Sequence, residues 1–475
     1  MGIFRTNDPT QFDDIDGIVI DESAPPSAIS GSAANVAILV CQLQRGPAAL
    51  SLPLGSIGEF HEVYGKSSYS GNKQLKNKKF GALRLIRVIA SDAVKATLTS
   101  DTKIKWDAKS EGVYGNDIEV TITAGSNVGS KYTIQDTSAN AALPIEIYDD
   151  IVIADITAAT FAGSKLVDVT VLSTVSEPTP AAATPLATGS DGTVADTDYE
   201  IAIARAEEEK AGNVLFLDAY NATRNGYLKT HVSATQDKMC IVCGAAGDDK
   251  AAAITDAANY RDADGRIMYA WPYVQTSIDG ALELTPPASW VASIFSQTSP
   301  HIALSYTGNT GFLAGITDLE YKESRNGYIA LNAAGVLSLE RDKDVGYLVK
   351  NAVTTHLVNT EKREVLRRRM ADYLTTSIAF YLKNYQNDVN SNEKRDEVKA
   401  AILTFDALQV ADKILPGQKD VKGGAPLLVD TESLNTDAVV AAGQFRILYK
   451  RRIFSSMRFI VLQAEIGTSV VVTEV

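Results

Sequence analysis

Apolar residues cluster in short runs along most of this chain, and the runs predict strands that alternate with helices. Residues 33–41 and 84–89 are nearly continuous apolar runs rich in Val, Ile and Leu, which is typical of strands buried on both faces of a sheet. Helical patterns at 198–210 and 250–260 separate later runs of the same kind. Those later runs lie at 213–217, 238–242 and 266–270. Because strands and helices alternate, the pattern predicts an α/β core.

The pattern changes after Ser100. Residues 118–122 alternate apolar and polar side chains, which is the two-residue period of a half-buried strand. Further short strands without an intervening helix are expected at 131–134, 145–153 and 166–172. Residues 176–185 contain three prolines, so we expect an extended and solvated connector there. The pattern over residues 101–185 therefore predicts a small β domain inserted into the α/β part of the chain.

The longest helical patterns lie towards the C-terminal end. Apolar side chains recur every three or four positions at Leu366, Met370, Leu374, Ile378, Leu382 and Tyr385. This periodicity predicts a helix over 361–386, about 39 Å long at about 1.5 Å per residue. Asn359 or Thr360 can cap its first turn. A second helix is expected at 393–414, where Pro416 ends it. Because strands follow these helices, the overall class is mixed, α/β with α+β parts.

Strand-like segments at both chain ends have no obvious partner within the chain. The N-terminal one is a short apolar core surrounded by acidic residues, and the C-terminal one is a run of valines. The apolar residues of the two segments are Ile15, Ile18, Val19 and Ile20, and Val470, Val471 and Val472. An unpaired strand is a template for another chain. The ends therefore predict a subunit that joins copies of itself by donating strands.

Composition indicates a large, ordinary globular protein. A chain of 475 residues exceeds the roughly 250–300 residues at which one core stops growing, so two or three domains are expected. The net charge of −13 argues against a nucleic-acid partner. There is no apolar run of about 18 residues that could span a membrane, and no apolar signal core. The three cysteines cannot form a disulfide framework and suit a reducing cytoplasm.

Charge is unevenly placed along the chain. The first thirty residues hold six acidic residues and one cation, whereas residues 440–460 hold five cations and no acidic residue. The five cations are Arg446, Lys450, Arg451, Arg452 and Arg458. Two interpretations are equally open on charge alone. Both blocks are solvated faces, or the basic strands face the interior of an assembly and contact a neighbour's acidic arm or another acidic partner.

The sequence contains no convincing catalytic, cofactor or metal site. Cys240 and Cys243 have the spacing of a redox or zinc motif, but in a strand-like run residues three apart point to opposite sides. The histidines are scattered at His61, His231, His301 and His356. The acidic run 207–209 and the basic run 367–369 are typical of solvated or interfacial helix faces. There is no phosphate-binding glycine loop and no nucleophile elbow.

Several short motifs occur in a characteristic order. They are Gly81-Ala-Leu-Arg-Leu-Ile-Arg-Val88, Glu111-Gly-Val-Tyr-Gly-Asn-Asp-Ile118, Gly189-Ser-Asp-Gly192 with Asp198-Tyr199, Met268-Tyr-Ala-Trp-Pro-Tyr273 with Thr285-Pro-Pro-Ala288, and Leu434-Asn-Thr436. In this order they resemble the sheath protein of contractile bacteriophage tails, over residues 18–475. The sequence departs from the family at 305–309, where a Pro-Ala-Gly segment is usual.

This resemblance implies a multidomain subunit. It has a mixed-sheet inner domain, an α/β middle domain, an outward-facing inserted β domain, and terminal arms that donate strands to neighbouring inner domains. The expected boundaries are an N-terminal arm at 1–24, the middle domain at 25–100 and 186–355, the insertion at 101–185, an inner domain of two helices plus strands at 356–466, and a C-terminal arm at 467–475.

The resemblance also implies a structural protein rather than an enzyme, with no cofactor. Such a subunit polymerises helically around a tail tube and contracts from a metastable extended state to drive the tube through a cell envelope. The expected partners are further copies in a stack of rings with sixfold symmetry, the tail tube protein, and baseplate and tail terminator proteins, without nucleic acid or membrane insertion. The expected location is the virion tail, assembled in the host cytoplasm. Alternatives are a non-contractile coat or surface-layer protein that forms flat sheets, and an α/β enzyme.

Overall fold

The computed structural model describes residues 29–32, 35–54, 56–66, 69–139, 141–209, 212–305, 312–358 and 361–456, together with the backbone of 2–6 and 17–21. The chain forms two compact units. The larger unit is Ala33–Tyr373, and the smaller unit combines Met1–Ser32 with Leu374–Val475. The division therefore falls inside a long helix, whereas the sequence pattern placed the inner-domain boundary at residue 356.

The strands follow the chain in groups. Two lie in the N-terminal segment, β1 (Gly2–Thr6) and β2 (Gly17–Asp21), and two begin the larger unit, β3 (Ala37–Gln42) and β4 (Leu83–Val88). The inserted β domain contains β5 (Thr97–Ser100), β6 (Ile104–Ala108), β7 (Ile118–Ala124), β8 (Ser130–Asp136), β9 (Glu146–Ile151), β10 (Val167–Val171) and β11 (Ala181–Pro185). The larger unit continues with β12 (Val214–Leu217), β13 (Met239–Cys243), β14 (Ile267–Trp271), β15 (Val274–Ile278), β16 (Ala281–Thr285), β17 (Asp318–Leu319), β18 (Val336–Asp342) and β19 (Gly346–Asn351). The smaller unit ends with β20 (Leu427–Asp430) and β21 (Leu448–Arg451).

The helices are distributed over both units. They are α1 (Ile57–Tyr64), α2 (Ser70–Leu75), α3 (Asp196–Ala204), α4 (Ala222–Thr235), α5 (Lys250–Asn259), α6 (Pro287–Gln297), α7 (Arg325–Ala333), α8 (Val365–Leu382), α9 (Asn392–Ala411) and α10 (Asp437–Ala441). Five of the ten helices that the structure describes begin at a residue whose side-chain oxygen caps the first turn. In α9, for example, Ser391 accepts a hydrogen bond from the backbone N–H of Lys394, which satisfies a donor that the first helical turn leaves free.

A seven-stranded sheet forms the centre of the larger unit, in the order β19-β18-β14-β13-β12-β3-β4. All neighbours pair in parallel except β18 and β19, which are antiparallel. Side chains of β3 alternate between two cores: Ala37 and Leu39 belong to one, Ile38 and Val40 to the other. Helix α6 packs on the first face, whereas α3, α4, α5 and α7 supply the second. The continuous apolar runs are thus buried on both faces, and the predicted α/β class is confirmed.

The insertion is a two-layer β domain with its own core. Its sheets have the orders β10-β6-β5 and β11-β7-β8-β9, and Trp106, Tyr132 and Phe161 meet between them. The expected solvated connector at 176–185 is wrong in its second half, because 181–185 is strand β11, paired with β7. The domain also extends beyond 101–185. Its entering and leaving segments pair at Val94 and Ser190, so residues 94–190 form the insertion.

Helix α8 is shorter than the apolar periodicity predicts. It begins at Val365 rather than 361, because residues 361–363 form a turn and Glu364 pairs with Val353 in a β-bridge. It ends at Leu382, which gives a length of about 27 Å at about 1.5 Å per residue. The two proposed caps, Asn359 and Thr360, lie outside the described residues. Helix α9 ends at Ala411, three residues before the predicted end.

Candidate assembly surface

The smaller unit contains an antiparallel pair of strands, β20 and β21, that packs on helix α9. We call this pair the hairpin, although helix α10 lies between its strands in sequence. Strands β20 and β21 are antiparallel, with Leu428 opposite Lys450 and Val429 opposite Tyr449. Successive side chains of a strand point to opposite faces. Val429 is buried on the side of α9, whereas Leu428 is exposed on the other side. The pair therefore has an inner face against the helix and an outer face towards solvent.

Arg451 lies on the inner face and forms a buried ion pair. Its Nε lies 2.6 Å from Oδ1 of Asp406 on α9, and the side chains of Arg451 and Asp406 are 2% and 7% exposed. Its other guanidinium nitrogens donate to the carbonyl oxygens of Pro426 and Pro416, at 3.0 and 2.9 Å. Burial raises the pKa of Asp406, and the neighbouring guanidinium opposes this rise. The charge of Arg451 is therefore paired within the subunit, and its contact with another protein stays a prediction.

The other predicted basic residues lie in different positions. Lys450 is exposed on the outer face, and Arg452 and Arg446 are also exposed. The guanidinium of Arg446 donates two hydrogen bonds to the side-chain oxygen of Gln444, at 3.2 and 2.8 Å. Among the described residues none of these three cations has an ion-pair partner. Arg458 lies outside the described residues. Three of the five cations are thus exposed in or next to strand β21.

The backbone of the same strand pair offers hydrogen-bonding groups at its edges. The N–H of Arg452 donates to the carbonyl oxygen of Pro426 at 2.9 Å. Because bonded and non-bonded pairs alternate in an antiparallel ladder, the peptide groups of Tyr449 and Arg451 point outward at one edge. Those of Leu427 and Val429 point outward at the other. No third strand pairs with either edge within the part of the chain that the structure describes.

Helix α9 exposes an apolar stripe on the side away from the strand pair. Its buried face carries Val398, Ile402 and Phe405. The opposite face is exposed and carries no charge over three turns, at Ala400, Leu403, Thr404, Ala407, Leu408 and Ala411. We call these six residues the α9 stripe. A helix that is apolar on both faces is normally buried on both, so the α9 stripe is a candidate surface for another chain.

The N-terminal segment contains two strands where the sequence predicted one. Ile18, Val19 and Ile20 lie in β2, and β2 pairs in parallel with β1, Gly2 opposite Gly17. The sequence pattern did not indicate β1. Ile15 and the valines at 470–472 lie outside the described residues. An isolated two-stranded pair is only marginally stable in water, so β1 and β2 are expected to need a further partner.

The cysteine pair has the arrangement that the strand pattern predicts. Cys240 belongs to the core on one face of the central sheet. Cys243 is an even number of residues from Met239 and Ile241, so its side chain points to the other face, where those two residues lie. Burial raises the pKa of both thiols, that of Cys243 to about 12. Within the described residues, no group of His, Cys, Asp and Glu could hold a metal ion. None of the helices that the structure describes is long and apolar enough to cross a membrane.

Comparison with solved structures identifies the fold. The sheath tail protein of Listeria innocua matches with a TM-score of 0.66 and 16% identity, over 86% of this chain and 90% of that protein. The chain has the tail sheath fold. The sheath tail protein of Desulfitobacterium hafniense gives a TM-score of 0.60 at 18% identity, over 88% and 94% of the two chains. The helical sheath of the anti-feeding prophage in its contracted state gives 0.60 at 14% identity, over 95% and 99%.

The tail sheath fold spans both units, because the matches cover most of this chain and nearly all of each sheath protein. No family model and no curated protein matches the sequence. The resemblance drawn from the short motifs is thus confirmed at the level of the fold.

Proposed function

We propose that this protein is the structural subunit of a contractile tail sheath, which polymerises helically around a tube. The observation that carries the proposal is the tail sheath fold over nearly the whole chain, including the smaller unit with its exposed stripe and open strand edges. A helical polymer requires different, complementary surfaces on each copy, since head-to-tail contacts that do not close generate filaments. The subunit needs no cofactor and no catalytic residue for this role.

The open edges of β20 and β21 are the proposed recipients of neighbouring arms. A donated strand satisfies the outward peptide groups, and each backbone hydrogen bond contributes about 1 kcal/mol. The proposed donors are the N-terminal arm with Ile15, Ile18, Val19 and Ile20, and the C-terminal arm with Val470, Val471 and Val472. Charge favours the N-terminal arm, because its six acidic residues would lie beside Arg446, Lys450 and Arg452.

The α9 stripe is the proposed contact with the tube. Asp406 and Arg451 contact each other between the helix and the strand pair, whereas the stripe and the outer strand face are exposed. The subunit therefore has two separate surfaces for partners. We assign the strand pair with its basic residues to neighbouring subunits and the uncharged stripe to the tube.

Contraction then needs no bound nucleotide. An extended arm of about twenty residues spans up to about 70 Å, so subunits can slide and tilt while the arms keep them connected. A sheath assembled in a metastable extended state relaxes cooperatively to better packed contacts. The proposed organisation is a stack of sixfold rings that starts at a baseplate and ends at a tail terminator, in a virion or a phage-like particle assembled in the host cytoplasm.

Negative-stain microscopy of the purified protein tests the proposal. The full chain should form tubes, whereas flat sheets would indicate a surface-layer or coat protein. Deletion of residues 1–22 should leave a folded subunit with near-normal melting that no longer forms long tubes, because a donated strand stabilises the recipient only after association.

A second variant separates the tube contact from the arm contact. Leu403→Glu with Leu408→Glu should retain self-assembly but lose co-assembly with a tube. Ile201→Glu is the matched control, since Ile201 on α3 is 56% exposed, similar to the 52% of Leu408. Loss of folding by the double variant, or equal loss of tube binding by the control, would contradict the assignment of the stripe.

A further inference from the structure

Three of the short sequence motifs meet at one place, the junction between the insertion and the α/β body. The first motif, 81–88, contains strand β4. The second, 111–118, ends at the first residue of β7, and the third, 189–192, lies where the chain leaves the insertion. Sequence order alone gives no reason for their shared occurrence. In the structure each contributes a side chain or a peptide group to a set of contacts that crosses the junction.

Arg87 lies at the centre of this junction. It is 3% exposed, and its guanidinium makes four hydrogen bonds, all to backbone carbonyl oxygens. Three go to the loop after β3, at Leu43, Gln44 and Gly46, with distances of 3.0, 3.3 and 3.0 Å. The fourth goes to Glu111 of the insertion at 2.7 Å. One buried cation therefore binds both parts of the larger unit at once.

Arg45, in the same loop, forms the second bridge. Its Nη1 lies 3.4 Å from Oδ2 of Asp136 in the insertion, and both side chains are buried, at 6% and 5% exposed. Its Nη2 donates to the carbonyl oxygens of His61 and Glu62 in α1. Beside it the N–H of Gly46 donates to the Ser110 hydroxyl at 3.0 Å. The loop is thus attached to the insertion by charge and by backbone.

Asp191 lies in the segment where the chain leaves the insertion, and it also links the insertion to the body. One carboxylate oxygen accepts from the N–H of Val113 at 2.9 Å, and the other accepts from the hydroxyl of Tyr69 in the body. Gly112, which precedes Val113, has a φ of +134°. A Cβ on Gly112 would come within 2.9 Å of Asp191 and 3.1 Å of the carbonyl oxygen of Gln44. Only glycine combines this backbone conformation with this close approach.

We infer that the insertion and the α/β body form one mechanical unit, held by the buried Arg87 and Arg45 and, at the half-exposed edge of the junction, by Asp191. Buried ion pairs and charged hydrogen bonds are costly to separate, because each partner would be left without its counterpart in a low-dielectric site. The compact larger unit, which does not divide at the insertion, agrees with this coupling. The coupling is a property of the isolated subunit. Its use, to carry load from the particle exterior to the central sheet, rests on the proposed sheath function.

Calorimetry and hydrogen exchange on the soluble full-length subunit test the coupling without any assembly. The native protein should unfold the larger unit in a single transition, with the amides of β7 in the insertion and β3 in the body opening together. Arg87→Met should split this transition. The amides of β7 should then exchange at least about tenfold faster than those of β3.

Lys165→Met is the matched control. Lys165 also bridges the insertion to the body, through Glu62 at 3.1 Å, but both side chains are more than half exposed, so this ion pair should contribute little. The control should keep one transition. Asp136→Asn gives a milder second test, if Arg87→Met does not fold. Two transitions in the native protein, or a single one in both junction variants, would show that the insertion is an independent appendage.

Discussion

Replacement of Arg451 by Met is the sharpest test of how the smaller unit is held together. The change keeps the aliphatic part of the side chain and removes the guanidinium. Three acceptors then lose a hydrogen bond: Oδ1 of Asp406 at 2.6 Å, and the carbonyl oxygens of Pro426 and Pro416 at 3.0 and 2.9 Å. The carbonyl oxygen of Pro426 keeps its bond from the N–H of Arg452. Because Asp406 is itself only 5% exposed, the variant leaves a carboxylate without a counter-charge in a buried site.

The expected loss in the free energy of unfolding is about 3–5 kcal/mol, the usual effect of removing one partner of a buried ion pair. The loss should depend on pH. Without the guanidinium, the pKa of Asp406, already raised by burial, should rise further. A carboxyl group whose folded pKa lies above its unfolded value stabilises the folded state at low pH and loses this contribution as the pH rises. The deficit of the variant should therefore be smaller at about pH 4 than at about pH 7.

Lys450→Met is the control for this prediction, because Lys450 precedes Arg451 and points to the opposite, exposed face. Its effect on unfolding should stay within about 0.5 kcal/mol. Urea unfolding of the soluble subunit, followed by circular dichroism at constant ionic strength, measures both variants.

The double variant Asp406→Leu with Arg451→Met gives a further check. It should recover most of the lost stability, since an apolar pair can replace a buried ion pair at little cost. Equal stability of Arg451→Met and Lys450→Met would refute the reasoning. It would indicate that Arg451 lies on the outer surface and is available to a neighbouring subunit.

Three variants and one chemical reagent test the larger unit. Asp218→Ala should lower the free energy of unfolding by about 3 kcal/mol in urea titrations, because the buried carboxylate accepts three hydrogen bonds. Gly71→Ala should cost about 1–3 kcal/mol, since a Cβ there would lie 2.6 Å from the sulfur of Cys41. Gly163→Ala, with open space around it, should leave the melting temperature nearly unchanged. The buried thiols, whose pKa values burial raises, should resist alkylation until the protein is denatured, as mass spectrometry would report for Cys41, Cys240 and Cys243.

Several elements could not be predicted from local pattern. Helix α6 is buried over nearly its whole surface, and the sequence pattern did not predict it. Strand β11 ends in Pro185, and its composition favours a solvated connector. It pairs at the edge of the sheet with β7 alone, where proline is tolerated. Both misjudgements arise because the burial and the pairing of these segments depend on residues far away in the chain.

Local sequence determined the strands of the central sheet and the class of the fold. The runs at 33–41 and 84–89 are apolar without alternation, and only a strand covered on both faces can bury such a run. These features are readable because each depends on side chains that are close in sequence.

Tertiary structure alone decided the roles of individual charges. Lys450 and Arg451 are adjacent and equally basic in sequence, yet one is exposed and the other is buried against Asp406. The same holds for Arg87, which the sequence presents as one residue of an apolar strand and the structure as the centre of a junction. The physical reason is that a charge acquires its role from the groups that replace its water, and here those groups lie 24 to 45 residues away.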